Sequence, residues 1–167
     1  MSLKKINIEE LQFNPFTAIN KQWMLITAGD ETKHNTMTAS WGSLGELWRH
    51  YISTIHIRPQ RYTLDFVESQ EYYSLCFFDE SHRGTLNFCG TKSGRDFDKG
   101  KECKLTPLFD ENAPYYKEAE LVFICRKLYK QEMTAESFID KSIIDSCYPL
   151  ADFHHTYIGE IVSVLKK

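Results

Sequence analysis

The chain has 167 residues, a net charge of −3 at pH 7 and 14% aromatic residues, a composition typical of one globular domain that buries a sizeable core. We therefore expect a single domain over residues 1–167. The slight negative charge and the lack of a long basic run exclude nucleic acid as the main partner. No apolar segment approaches the roughly 20 residues that cross a bilayer, and the N-terminus lacks the apolar core of a signal peptide.

The first half of the chain combines strand patterns with one helix. The apolar run WMLITAG at residues 23–29 ends in the turn residues GDE and predicts a strand. NTMTASW at residues 35–41 alternates small hydroxyl residues with apolar ones at the period of a strand. YISTIHIR at residues 51–58 carries β-branched residues at alternate positions. RPQRYTLDFVES then predicts a helix that begins at Pro59.

The second half predicts three strands and two helices. YYSLCFF, AELVFICRKLY and TYIGEIVSVL predict strands at residues 72–78, 119–129 and 156–165. DESHRGTLNFCGTKSG predicts a helix that stops at Gly90, and TAESFIDKSIIDS predicts a weaker one. Because strands outnumber helices without regular βαβ spacing, the pattern favours a β-barrel with short helices over a doubly wound sheet.

Several classes of chemistry lack their motif. The five cysteines are odd in number and form no C-x-x-C pair, which indicates free thiols, a reducing compartment and a cytoplasmic location. The six histidines form no helical H-x-x-x-H or H-E-x-x-H pair, and no carboxylate cluster resembles a cation loop, so we predict no metal site. G-x-S-x-G, G-x-G-x-x-G and the Walker loop are also missing.

Two segments are candidates for binding an anion. In IRPQRYT, Arg58 and Arg61 flank a predicted helix start whose free N–H groups favour negative charge, with Thr63 in the first turn. In TKSGRDFDK at residues 91–99, a turn of small residues with nearby lysines and an arginine is typical of an anion-binding nest. The alternative is that both segments are ordinary solvated surface charges.

The strand NTMTASW suggests a planar ligand. Thr36, Thr38 and Ser40 place short hydroxyls on one face, and small side chains let a heterocycle rich in carbonyl and imide groups approach the backbone. The alternative is the polar, solvent-facing side of an antiparallel strand, which threonine and serine also suit.

Four blocks in this order, NTMTASWG, IRPQRYT, SGRDFDK and DFHHTYIGEIVSV, resemble the flavin reductase-like family of FMN-binding split barrels. The resemblance runs from about residue 16 to residue 164. The stretch SWGSLGELW is closer to flavoredoxin-type flavoproteins than to the reductases of two-component monooxygenases. The resemblance implies a mainly β fold, a six-stranded Greek-key split barrel with a few short helices. It also implies a homodimer with one FMN per subunit near the interface.

The same resemblance implies the site residues. His154 would lie at the exposed edge of the flavin ring as the catalytic residue; its alternative is a structural histidine at a strand end. Trp41 and Trp48 would shape the mouth. The cofactor-binding set is Asn35, Thr36, Met37, Thr38, Ala39, Ser40, Trp41, Arg58, Arg61, Tyr62, Thr63, Ser93, Gly94 and Lys99.

Three functions follow from these expectations. The first is an FMN-dependent oxidoreductase reduced by NAD(P)H, with a small molecule or a protein as electron acceptor. The second is an FMN electron carrier reduced by a protein partner, without nicotinamide activity. The third is a non-enzymatic barrel whose pocket stores flavin or mediates only dimer contacts. Because flavin itself carries the hydride and electron chemistry, the first two need no nucleophile or general acid from the chain.

Overall fold

A computed structural model describes residues 2–167 and shows the mainly β fold that the sequence predicts. The strands of this described part are β1 (Lys4–Lys5), β2 (Met24–Gly29), β3 (His34–Ala39), β4 (Gly42–Leu47), β5 (His50–Ile57), β6 (Tyr72–Phe77), β7 (Pro107–Leu108), β8 (Tyr115–Tyr116), β9 (Leu121–Glu132) and β10 (His155–Lys166). The main sheet is antiparallel, with the order β3-β2-β6-β9-β10-β5-β4 and β1 added to β10, while β7 and β8 pair separately.

The helices are short. They are α1 (Pro15–Thr17), α2 (Thr63–Ser69), α3 (Arg83–Thr91), α4 (Lys99–Glu102) and α5 (Ser142–Cys147), with 3-10 turns at Ile8–Glu10, Glu80–His82 and Ala135–Ser137 and a π-turn at Ala18–Gln22. None of the helices between residues 2 and 167 has the length and apolarity needed to span a bilayer.

The main sheet does not close on itself. Its two end strands, β3 and β4, follow one another in the chain but are not hydrogen-bonded to each other. Only Ser40 and Trp41 separate them in the sequence. The resulting opening, which we call the seam, runs along the outer edge of β3.

The sheet is covered by apolar residues on both faces. On one face Met24, Ile55, Tyr73 and Phe123 belong to a buried cluster that fills the barrel. On the other face a second cluster joins the sheet to α3 and to the β7–β8 hairpin, with Leu86 and Cys89 of α3 among its members. The second cluster therefore fixes α3 beside β2 and β3, next to the seam.

Three differences from the expected elements have a local explanation. The helix after β5 begins at Thr63, since residues 59–60 form a turn instead of a first helical turn. The segment GSLGEL, which carried no strand prediction, is β4; its two glycines and mostly exposed side chains hide the pattern. The weak helix expected at residues 134–146 is broken into a 3-10 turn and α5.

Gly159 in β10 has no room for a side chain. An added Cβ would lie 2.5 Å from Tyr73 Oη and 2.9 Å from its Cζ, and Tyr73 is fully buried and bonded to Ser53 Oγ at 2.7 Å. Gly45 in β4 has nothing within 4 Å of an added Cβ and provides a matched control.

We predict that Gly159→Ala lowers the free energy of unfolding by about 1–3 kcal/mol, because Tyr73 must move within a packed core. Gly45→Ala should change it by less than about 0.5 kcal/mol. Urea unfolding of the two variants measures both values. If Gly159→Ala is as stable as Gly45→Ala, β10 adapts to the added methyl group without strain.

Candidate functional site

A cleft of about 220 Å³ lies at the seam. β3 and the residues that follow it form one wall, and residues at the ends of β5 and before β10 form the other. The lining residues are Met37, Thr38, Ala39, Ser40, Trp41, His56, Arg58, Arg61 and His154.

The wall formed by β3 offers backbone groups to the cleft. β3 pairs with β2 on one side only, and the Lys99 ammonium donates to the Thr36 carbonyl at 2.8 Å from the other side. In an antiparallel strand both main-chain groups of a residue point the same way, and the direction alternates along the chain. The N–H and C=O of Thr38 therefore point toward the seam as well.

The threonine hydroxyls of β3 are engaged within the protein. Thr36 Oγ1 lies 2.9 Å from Thr27 Oγ1 and 3.2 Å from the Ile26 carbonyl. Thr38 Oγ1 donates to the Leu86 carbonyl at 2.5 Å and so ties β3 to α3. The expected row of free hydroxyls is thus reduced to Ser40, and the main chain supplies the other polar groups of this wall.

Two cations meet at the C-terminal end of α3. Arg61 donates to the carbonyls of Gly90 at 2.6 Å and Cys89 at 3.2 Å. Lys99, only 5% exposed, also donates to the Cys89 carbonyl at 3.0 Å. Within residues 2–167 neither cation has a carboxylate partner at ion-pair distance. The helix end compensates only about half a unit charge, so the cluster keeps net positive charge.

Burial, reinforced by the charge of Arg61, lowers the pKa of Lys99 to about 8. Burial also lowers the pKa of Arg61. Both shifts indicate that the ammonium and the guanidinium are held in a poorly solvated place at a free-energy cost. An anion brought to this place would relieve part of that cost.

Arg58 is neutralised by its own partners. Its guanidinium lies 2.6 Å from Asp152 Oδ2, donates to the Cys147 carbonyl at 2.7 Å and stands 5.0 Å above the Tyr148 ring. These contacts tie the segment between α5 and β10 to the end of β5. Arg58 therefore shapes the cleft wall more than it adds charge to it.

His154 is a buried, neutral imidazole. Burial, together with the charges of Arg58 and His56, lowers its pKa to about 4. Its Nδ1 lies 2.7 Å from Tyr148 Oη, and its ring centroid lies 5.3 Å from that of the half-exposed Trp41. If Tyr148 donates to Nδ1, the imidazole proton resides on Nε2, and the remaining ring nitrogen is a donor.

The structure divides the expected site residues among three places. The cleft contains Met37, Thr38, Ala39, Ser40, Trp41, Arg58, Arg61 and His154. A separate polar cavity of about 370 Å³ is lined by Asn35, Thr36, Gly94 and Lys99, among others. Tyr62, Thr63 and Ser93 line neither one: Tyr62 packs under Arg95, Thr63 accepts from the Asn35 amide at 2.8 Å, and Ser93 caps its own turn.

Some cleft residues escaped the sequence reasoning. His56 lies on the alternating strand YISTIHIR. Because it shares a face of that strand with Thr54 and Arg58, its position beside Arg58 could have been predicted. Tyr148 and Asp152 do not line the cleft but hold His154 and Arg58, which do. They lie on a loop that returns to β5, and no local sequence pattern marks them. No group of three or more His, Cys, Asp or Glu side chains in the described chain can hold a metal ion.

Residues 16–166 match the sequence profile of the flavin reductase like domain. The chain belongs to this family. No curated protein matches the chain.

Solved structures of similar fold include the flavoredoxin of Methanosarcina acetivorans, at 20% identity and a TM-score of 0.70 over 98% of this chain and 76% of that one. An FMN-binding domain of flavin reductase-like enzyme from Shewanella baltica has 12% identity and the same TM-score and coverage. The NADH:FAD oxidoreductase of Streptomyces globisporus has 14% identity and a TM-score of 0.64 over 87% of this chain and 75% of that one. These neighbours confirm the split-barrel fold.

The pKa of His154 makes stability depend on pH. In the unfolded chain a histidine titrates near pH 6.5, whereas His154 in the fold titrates near 4. Between these values the unfolded state binds more protons, so the free energy of unfolding decreases as the pH falls from about 6.5 toward 4.

We predict that His154→Gln makes the free energy of unfolding depend less on pH between about 6.5 and 4. Urea unfolding at a series of pH values measures this, and the imidazole signals in NMR give the titration directly. An unchanged pH dependence in the variant, or a His154 signal that titrates near 6.5, would contradict the assignment.

Proposed function

We propose that the chain is an FMN-binding flavoprotein of the flavin reductase-like class that takes electrons from NAD(P)H. One observation carries the proposal: the unpaired edge of β3 and Arg61, whose guanidinium has no carboxylate partner within residues 2–167, border the same cleft. A flavin needs both, since its pyrimidine edge makes hydrogen bonds and its phosphate carries negative charge. The fold alone does not decide the activity.

The edge of β3 matches the polar rim of the flavin ring. The N–H and C=O of Thr38, aimed into the seam, can serve an acceptor and a donor of the pyrimidine part. Ser40 adds a hydroxyl at the end of the strand. Met37 and Ala39 are almost completely buried. Because their side chains project little into the cleft, a planar ring can approach the backbone.

The positive charges of Arg61 and Lys99 at the end of α3 match the phosphate of FMN. Arg61 borders the cleft, and Lys99 lies behind it on the same Cys89 carbonyl. A guanidinium binds phosphate through paired N–H groups, and the nearby ammonium strengthens the positive potential. In this arrangement Lys99, Thr36, Asn35 and Thr63 support the site from behind, while Gly94 packs against the Asn35 amide.

When bound, FMN supplies the hydride and electron chemistry. The chain contributes position and access. Neutral His154, held through Nδ1 by Tyr148, lines the cleft. Trp41 stands beside it at the mouth, 47% exposed. Both side chains border the path by which a reductant or an acceptor reaches the ring.

The nicotinamide part of the proposal is supported by analogy of fold. The similar structure from Streptomyces globisporus is that of an NADH:FAD oxidoreductase. The flavoredoxin neighbours share the same fold, and reduction by a protein partner is the competing outcome.

An anaerobic titration tests the function. The purified protein should be yellow or turn yellow with FMN, and its flavin absorbance should bleach when NADH or NADPH is added. Bleaching by dithionite but by neither nucleotide would replace the nicotinamide activity with that of an electron carrier. A colourless protein whose thermal stability does not change with FMN would contradict flavin binding itself.

We predict that Arg61→Ala weakens FMN binding by about 1.5–3 kcal/mol, the contribution of a charge-assisted hydrogen bond. Arg95→Ala is the matched control, because Arg95 lies outside the cleft and pairs with Asp65 on the surface. Fluorescence titration of FMN measures both affinities. Since Arg61 also binds α3, urea unfolding of each variant separates a loss of affinity from a loss of fold. If a folded Arg61→Ala protein binds FMN as tightly as the parent protein, Arg61 does not belong to the site.

We further propose that the chain forms a homodimer through the outer face of the β4–β5 hairpin and its neighbours. Exposed apolar side chains gather there. Trp48, 53% exposed, lies 6.0 Å from the ring of the exposed Tyr129, and Leu47 and Tyr51 are exposed in the same hairpin. Large exposed aromatic residues are typical of protein interfaces.

Trp48 and Arg49 form the hairpin turn with positive φ angles of 56° and 65°, a conformation that asparagine accepts. We predict that Trp48→Asn keeps the monomer fold and weakens dimerisation at least about tenfold, the effect of losing an aromatic anchor. Arg49→Asn, at the adjacent turn position, should leave dimerisation nearly unchanged. Sedimentation equilibrium measures both, and a monomeric parent protein would contradict the dimer.

A further inference from the structure

A second cavity adjoins the cleft. It measures about 500 Å³ and shares Ser40 and Trp41 with the cleft as a common wall. Its other sides come from α1, the π-turn that follows, and the start of β4. The two spaces are therefore neighbours across the chain segment that connects β3 to β4.

The described residues that line this cavity include no ionisable side chain. Phe16, Ile19 and Leu44 supply apolar surface, and the polar groups are the Asn20 amide and the hydroxyls of Ser40 and Ser43. An anion entering such a place loses hydration without gaining a cationic partner. A neutral ring instead gains apolar contact and a few hydrogen bonds.

Two aromatic side chains beside the cavity are open to solvent. Phe16 is 86% exposed and Trp41 is 47% exposed, although both are among its lining residues. An aromatic ligand between them would remove apolar surface from water and add ring contacts. The cavity also borders the π-turn, which is followed by Trp23 with a φ of 67°, and π-turns occur frequently at functional sites.

From these features we infer that the cavity between Phe16, Trp41 and Ser43 binds an uncharged aromatic small molecule next to the flavin cleft. The site differs in chemistry from the cleft, where Arg61 and Lys99 favour a phosphate. The binding itself depends only on the protein walls. The role of the occupant as the substrate rests on the proposed function.

Ser43 offers a direct test of the cavity. Its side chain lines the cavity but not the cleft, and it is exposed on β4. Ser43→Phe fills the space, whereas Ser43→Ala removes only the hydroxyl. Neither change touches a residue of the cleft, so the FMN content of both variants should equal that of the parent.

The probes are 2-naphthol and 2-naphthoate at pH 7, two molecules of the same ring size of which only the second is charged. Calorimetry on the full chain loaded with FMN should show binding of naphthol and at least about tenfold weaker binding of naphthoate. Ser43→Phe should weaken naphthol binding at least about tenfold, and Ser43→Ala about twofold or less. Phe16→Ala provides a second variant at a nearly fully exposed position, and it should also weaken naphthol binding.

Equal affinities for the two probes, or naphthol binding that survives both Ser43→Phe and Phe16→Ala, would overturn the inference. Ser43 shares the outer face of β4 with Leu47, so sedimentation must show whether Ser43→Phe keeps the dimer. If it loses the dimer, Phe16→Ala decides, and naphthol binding that is unchanged in Phe16→Ala would overturn the inference. If the parent protein holds no FMN, the proposed function fails. Naphthol binding that depends on Ser43 and Phe16 would still establish the cavity.

Discussion

An edge strand carries a row of unpaired N–H and C=O groups, and a protein must pair them, cover them or leave them to solvent. In β3 only some of these outward-facing groups have a partner. Lys99 satisfies the Thr36 carbonyl, and α3 is joined to Thr38 only through the side-chain hydroxyl. Helix α3 is thus held beside the edge without covering it. The cleft is the space that this incomplete pairing leaves open, and its polar wall follows from the same cause.

The electrostatics of the site have the same origin. A helix C-terminus attracts cations, and here Arg61 and Lys99 meet at one end of α3. Their mutual repulsion, added to burial, lowers the pKa of Lys99. The contacts that position α3 therefore also concentrate more positive charge than the helix compensates. In this way a contact that maintains the shape of the seam also favours an anion within it.

Much of the fold could be predicted from the sequence, because alternating and apolar runs mark the long strands directly. β4 could not, since GSLGEL is an exposed edge strand with two glycines. For the site, parity along NTMTASW predicted which residues share a face of β3, but not that Thr36 and Thr38 would bind Thr27 and Leu86. Partners far away in sequence, such as the Cys89 carbonyl, have no local signature.

The engagement of the threonine hydroxyls within the protein has a consequence for how such a site changes in evolution. A wall that recognises its ligand through the main chain depends on the course of the strand more than on the identity of its side chains. We therefore expect such a wall to accept substitutions along β3 that are small and keep α3 in place. Sequences can therefore diverge widely while the edge they present stays the same, in keeping with neighbours that share this fold at only 12–20% identity.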